Sequence, residues 1–294
     1  GGPAYYMHRF IQEKRGGKKK RYVGISVLFA ISGLICWCGI SQVISNSVTS
    51  AFHNAFHIPP IYTTVVLVAL AAVIIFRKTA TVKVLDVLVP VMAGCYFLIT
   101  VILICMNFSA LPGVFSRIFE EAFGIRQAVA GGLGTVVMNG VKRGLFSNEA
   151  GLGSAPIAHA ASSNKNPVDQ GIWGMFEVFF TTIIICTLTA LVIITTGVME
   201  TTDYIGSALS IAAYNAVIPG IGGVGVTLAT VLFATSTTLG WAYYGEKAVE
   251  YLFHKSKLAV TIYRIVYVAF VFIGAAGGSG SLDLIWGVSD TMNG

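Results

Sequence analysis

Charge is what this sequence lacks most. Only 11% of its 294 residues are Asp, Glu, Lys or Arg, against about 25% in soluble domains. So few charges cannot cover a water-soluble globule, and a soluble nucleic-acid-binding domain is excluded with it. Cysteine is scarce too. Cys36, Cys38, Cys95, Cys105 and Cys186 are odd in number and sit inside apolar runs. The pair Cys36-x-Cys38 lacks the spacing of a zinc knuckle or redox motif, so the five read as small apolar packing residues. HExxH, GxSxG and CxxC are all missing, which removes the common hydrolase and redox signatures. An initiator Met and a secretory-signal pattern are also lacking. The opening Gly1-Gly2-Pro3 and an amphipathic run that stops at Gly294 suggest an internal fragment, truncated at both ends.

What is present is apolar. Hydrophobic residues make up 55% of the chain and mean hydropathy is +0.77. At about 20 residues per crossing, the length holds seven or eight spans, so the expected class is an all-α integral membrane protein. Apolar windows predict spans at 22–43, 61–76, 85–106, 172–198, 224–244 and 258–275. Pro59-Pro60 and Pro219-Gly220 punctuate the connections. The stretch 127–162 is apolar enough to cross as well, but GLFSNEAGLG at 144–153 interrupts it.

Loop charge orients these spans. Seven of the nineteen basic residues lie in the first 21 positions, which predicts a cytoplasmic basic loop over 1–21. Residues 46–60 have no Lys or Arg and go outside; Arg77, Lys78 and Lys83 mark an inside loop. The segment after Met106 balances Arg117 and Arg126 against Glu120 and Glu121, and alternation puts it outside. Glu200 and Asp203 in 199–219 go outside, and Lys247, Lys255 and Lys257 return inside. These assignments agree only if 127–162 crosses once, giving seven spans of which one is discontinuous.

A helix interrupted inside a bilayer exposes main-chain groups, at several kcal/mol each unless protein or water covers them. Secondary carriers place substrate and coupling ion at such breaks. N–H groups of a second half-helix starting near Ala150 would suit a carboxylate, and the carbonyls ending the first half would suit a cation or ammonium. The alternative is a capped loop outside the membrane. Glu149 within the break is either paired, with Lys142 or Arg143 nearest in sequence, or coupled to an ion. An acid/base pair of Glu149 with His159 would define an enzyme, but ten residues span about 15 Å of continuous helix. Thr235, Ser236, Thr237 and Thr238 form a second polar patch in an otherwise apolar span. Thr237 and Trp241 share a helix face. The hydroxyls would either cage Na⁺, a hard cation, or bond back to their own helix. Asn46 or Gln42 would face a cavity, or else belong to a solvated helix end.

The motif GLFSNEAGLGSAPIAHAA at 144–161 resembles the sodium:alanine (alanine or glycine:cation) symporter family. The same register continues through CTLTALVIITTG at 186–197 and LGWAYYGEKAVEYLF at 239–253, and the ends Gly1–Tyr6 and 290–294 fit its second-helix loop and tenth helix. The resemblance implies a partial LeuT-like inverted-repeat fold, with this chain covering about the third to ninth helices and the broken span as the sixth. It implies import of alanine or glycine with Na⁺ by alternating access across the cell membrane; proton coupling is the alternative. No cofactor is expected besides the coupling ion. Carried over residue by residue, Phe146, Ser147, Asn148 and Gly151 would contact the amino acid, with Thr237, Trp241 and Asn46. Ser236, Thr237 and Thr238 would hold Na⁺, and Ile44 stands where the family's glutamine is expected. The family's first and second helices would lie outside this chain.

Overall fold

The computed structural model describes residues 1–14, 16, 21–76, 78–123, 133–149, 151–277, 285, 287 and 288. Arg15, Lys18, Lys19, Lys20, Arg77, Arg126, Ala150 and the 290–294 motif lie outside the described residues. All regular structure among the described residues is helical: α1 Pro3–Lys14, α2 Gly24–Phe56, α3 Pro60–Phe76, α4 Lys78–Met106, α5 Leu111–Phe123, α6 Leu133–Asn148, α7 Ala155–His159, α8 Pro167–Val178, a π-helical segment Phe179–Ile185, α9 Cys186–Thr196, α10 Val198–Thr201, α11 Ser207–Val217, α12 Ile221–Leu252 and α13 Lys257–Ala276. Five stretches are long and apolar enough to cross a membrane: Gly24–Phe56, Val89–Met106, Pro167–Thr196, Ile221–Leu252 and Lys257–Ala276. The window expected at 61–76 is α3, whose 17 residues give about 26 Å of helix against a hydrocarbon core of about 30 Å.

Boundaries follow local chemistry. His57 closes α2 in the left-handed conformation, and Pro60 then opens α3 at a position where a missing N–H is harmless. Asn166 caps α8 by accepting the Val168 N–H, with Pro167 behind it. Gly197 ends α9 at φ 65°, and Ser256 caps α13 through the Ala259 N–H. Four helices stand where no span was expected, namely α1, α5, the four-residue α10 and α11. The basic stretch 1–21, expected as a loop, carries α1. Its Ala4 is buried and its Tyr5 and His8 half-buried, while Arg9, Phe10 and Glu13 face out.

The chain divides into two compact units. The first comprises 1–91, 152–163 and 229–294. Here α13 packs along α2 and α3, around a core that includes Val48, Leu67, Ala71, Tyr263, Tyr267 and Val271. Gly274 permits the approach, because a Cβ there would overlap the Gln42 main chain and lie 2.6 Å from the Ser45 hydroxyl. The carbonyls ending α13 find donors across this contact. Asn46 Nδ2 donates to Gly277 (2.7 Å) and Gly274 (3.3 Å), and Thr64 Oγ1 donates to Ala275 (3.0 Å). Glu246 and Arg264 form a buried ion pair between α12 and α13 at 2.7 Å, with side chains 8% and 12% exposed. At one end of this unit α1 meets the close of α12. Tyr5 donates to the Lys247 carbonyl (3.4 Å), His8 Nδ1 meets Tyr251 OH (2.7 Å), and Tyr22 donates to Leu252 O (2.7 Å). Burial, with Glu250 nearby, pushes the Tyr5 phenol up to about 12, so it stays a donor.

The second unit comprises 92–151 and 164–228. Four hydroxyls join α4, α9 and α11. Tyr96 OH lies 2.6 Å from Thr189 Oγ1, Thr100 Oγ1 lies 2.7 Å from Tyr214 OH, and Tyr214 donates to Tyr96 at 3.0 Å. Arg117 of α5 binds Glu200 of α10 and, at 2.7 Å, Glu121 of its own helix. These hydrogen bonds, Glu121 first, hold its guanidinium above its ordinary pKa. Trp173, Phe176, Phe179 and Ile183 present a stripe of large apolar side chains outward along α8 and the π segment, as lipid contact requires.

Tyr5, His8 and Tyr22 thus touch the stretch 247–254 within the first unit, and Arg117 touches Glu200 within the second.

The buried pair yields a stability test. Glu246→Ala strands the Arg264 charge and should cost roughly 3–5 kcal/mol, read as a lowered unfolding temperature of the detergent-solubilised full-length protein. Glu246→Met combined with Arg264→Met should recover most of that loss; equal losses in both would mean that the charges do not act as a pair.

Candidate functional site

The interruption expected at 144–153 exists but is narrower. Gly144–Asn148 stay helical, so Phe146, Ser147 and Asn148 occupy the last turn of α6. Glu149 then turns left-handed at φ 55°, followed by Gly151 at 83° and Gly153 at 77°. The second helical piece, α7, begins at Ala155 instead of near Ala150, which lies outside the described residues. Left-handed backbone is cheap for glycine and costs roughly 1–2 kcal/mol at other L-residues. Helices usually end on glycine there, so Glu149 is an expensive terminator. The last carbonyls of α6 are those a helix leaves without an internal donor, and they form its negative pole.

The boundary between the two units falls within this break, between Gly151 and Leu152. In the second unit, α6 packs on the π-helical segment, and Ser147 Oγ lies 3.2 Å from Cys186 Sγ. In the first unit, Gly153 sits 2.6 Å from the Phe29 ring and 3.0 Å from Pro3 at the position its Cβ would take. Ser154 and Ile157 are buried, and Ile157 lies against Gly2. His159 ends α7, half-buried.

The hydroxyl patch lies on α12, which runs through it unbroken. All four residues bond back along the helix. Thr235 donates to Val231 O (2.7 Å), Ser236 and Thr237 to Phe233 O (2.8 Å each), and Thr238 to Ala234 O (2.8 Å). Donation uses each hydroxyl's proton and leaves its lone pairs, so a cation could still be ligated. Thr238 is buried, and its carbonyl already accepts from Tyr267 at 2.8 Å. Ser236 and Thr237 are half-buried. Trp241, one turn beyond Thr237, is 4% exposed. Among the described residues no group of three or more His, Cys, Asp or Glu could hold a metal ion; an ion would have to take hydroxyl and carbonyl oxygen.

Two expectations about α2 change. Asn46 is not at a solvated helix end but buried, with its amide donating to the end of α13, while Gln42 lines a cavity with Leu34, Cys38 and Tyr263. Ser41, Ser45 and Ser47 bond back to carbonyls three or four residues earlier, which carries α2 well past residue 43. The cysteines also differ from expectation: Cys36 is buried, whereas Cys95, Cys105 and Cys186 are exposed. Sequence reasoning missed Cys186 as a neighbour of Ser147 because only the packing of α6 on the π segment brings them together. The threonines around Cys186, namely Thr181, Thr182, Thr187 and Thr189, carry no signal in sequence, because threonine is ordinary inside a membrane-type helix.

All regular structure among the described residues is helical, and five of the described stretches are long and apolar enough to span a bilayer, as in a multi-pass membrane protein. The model of the sodium:alanine symporter family matches residues 1–294, and the chain belongs to that family. It is 38% identical over 299 residues to the sodium/alanine symporter AgcS of Methanococcus maripaludis, covering 100% of this chain and 64% of that protein. It is 39% identical over 298 residues to the amino-acid carrier protein AlsT of Bacillus subtilis, covering 100% and 60%. A candidate sodium/proton-dependent alanine carrier of Bacillus subtilis, YrbD, is 35% identical over 307 residues, covering 99% and 61%. The chain thus spans less than two thirds of these relatives' length. The family is one of transporters, not enzymes.

The break makes its own test. Gly151 has open space where a Cβ would go, whereas Gly153 has none. Gly151→Ala should therefore cost only the left-handed strain of roughly 1–2 kcal/mol, and Gly153→Ala clearly more, in thermal unfolding of the solubilised full-length protein. Equal effects would show that the Phe29–Pro3 contact does not constrain Gly153.

Proposed function

We propose that the full-length protein moves a small neutral amino acid, alanine or glycine, together with Na⁺ into the cell by alternating access. The observation that carries this reading is the left-handed backbone at Glu149, Gly151 and Gly153 after α6, in a chain of this family. The fold proposed for the whole protein is a LeuT-like inverted repeat in the cell membrane, with seven spans in this chain, 127–162 as the discontinuous one and 1–21 on the cytoplasmic side.

In this reading the amino acid's charged ends engage the main chain of the break, and Phe146, Ser147, Asn148 and Gly151 line it. Carbonyls ending α6 suit the ammonium group, and freed N–H groups beyond Glu149 suit the carboxylate. Na⁺ takes hydroxyl oxygens on α12, for which Ser236 and Thr237 have the better access because Thr238 is buried under α13. Trp241 shares the Thr237 face, and the family resemblance assigns both to the amino acid. Coupling follows if bound Na⁺ favours the conformation that holds the amino acid; no bond is made or broken. A second reading, proton coupling, draws on the relative named for both sodium and proton dependence.

Radiolabelled alanine uptake into proteoliposomes of the full-length protein should collapse when K⁺ replaces Na⁺, and an imposed pH gradient should not restore it. Equal uptake without Na⁺ would reject the coupling; uptake restored by the pH gradient would favour the second reading. Thr237→Ala should raise the Na⁺ concentration for half-maximal uptake about tenfold, which corresponds to about 1.4 kcal/mol, with little change in unfolding temperature.

A further inference from the structure

The π-helical segment Phe179–Ile185 has no part in the reading above, yet it packs on α6, the helix that ends at the break. π-turns are rare, and inside α-helices they often mark functional positions. This one closes with the Cys186 N–H donating to Thr181 O, five residues back. Wider winding changes what its threonines can reach. Thr181 Oγ1 bonds the Glu177 carbonyl at 2.8 Å, as helical threonines commonly do. Thr182 Oγ1 is buried and has no hydrogen-bond partner among the described residues. Thr182 and Cys186 are four apart and so share a helix face, and that face meets α6 where Cys186 Sγ approaches Ser147 Oγ at 3.2 Å.

We propose that Cys186 is a positioning residue for Ser147, and that it extends the amino-acid site from the break onto the π-helical turn. The inference rests on the reading of the break as the amino-acid site. A thiol is a weak donor and a weak acceptor. It fixes the direction of the serine hydroxyl without binding it strongly, and when the thiol donates, the serine proton stays available to a substrate carboxylate. Both side chains are exposed in this chain, so water and a small zwitterion can reach them. Alanine at 186 would free the hydroxyl to turn away, whereas serine would keep the contact.

The test uses the full-length protein in proteoliposomes. Cys186→Ala should raise the alanine concentration for half-maximal uptake on the order of fivefold, about the worth of one neutral hydrogen bond, with the maximal rate largely kept. Cys186→Ser should restore the original value. In a version whose other cysteines are replaced by alanine, a water-soluble methanethiosulfonate should label Cys186 and block uptake, and alanine with Na⁺ should slow that labelling severalfold. Unchanged half-saturation in Cys186→Ala, or labelling that alanine does not slow, overturns the proposal. Ser147→Ala separates the two levels. If it impairs uptake while Cys186→Ala does not, only this inference falls; if neither matters, the reading of the break falls with it.

Discussion

A peptide group surrounded by hydrocarbon can find its hydrogen-bond partner only within the protein, and this constraint accounts for most of what is seen here. It keeps α2, α12 and α13 continuous for 33, 32 and 20 residues. It also explains the polar contacts at the end of α13, where Asn46 and Thr64 supply donors to Gly274, Ala275 and Gly277. Against that background the stretch from Glu149 to Gly153 stands out, since three of its residues are held left-handed. At Glu149, which is not glycine, that conformation costs roughly 1–2 kcal/mol.

Much of the architecture could be read from hydropathy because long apolar stretches leave a chain few alternatives. The windows at 85–106, 172–198, 224–244 and 258–275 each fall on a long helix. The short helices α1, α5 and α11 were not legible. The first two are mixed in polarity, and α11, though apolar, is too short at 11 residues to read as a crossing. The break was foreseen in kind but began five residues too early, since Gly144 and its neighbours tolerate helix where packing supports it.

Side-chain roles were harder to read than helices. A serine or threonine in a helix always has a carbonyl one turn back, so Ser236, Thr237 and Thr238 satisfy themselves locally whatever else they do. Spacing alone could not separate an ion site from an ordinary helix. Asn46 shows the converse: its position in α2 said little until α13 arrived beside it. Cys186 belongs with Asn46, because its neighbour Ser147 lies 39 positions away in sequence.

The two sets of contacts at helix ends differ in what they are made of. Arg117, Glu121 and Glu200 are charged and substantially exposed, and at physiological ionic strength mobile ions screen exposed charges over about 8 Å. The contacts of Tyr5, His8 and Tyr22 are hydrogen bonds and ring edges, with Tyr5 and Tyr251 at 5.4 Å and Tyr22 and His254 at 4.9 Å. Brine loosens attachments of the first sort and leaves the second almost untouched. In a salty medium the tether from α5 to α10 would slacken, while the clasp of α1 on α12 kept its grip.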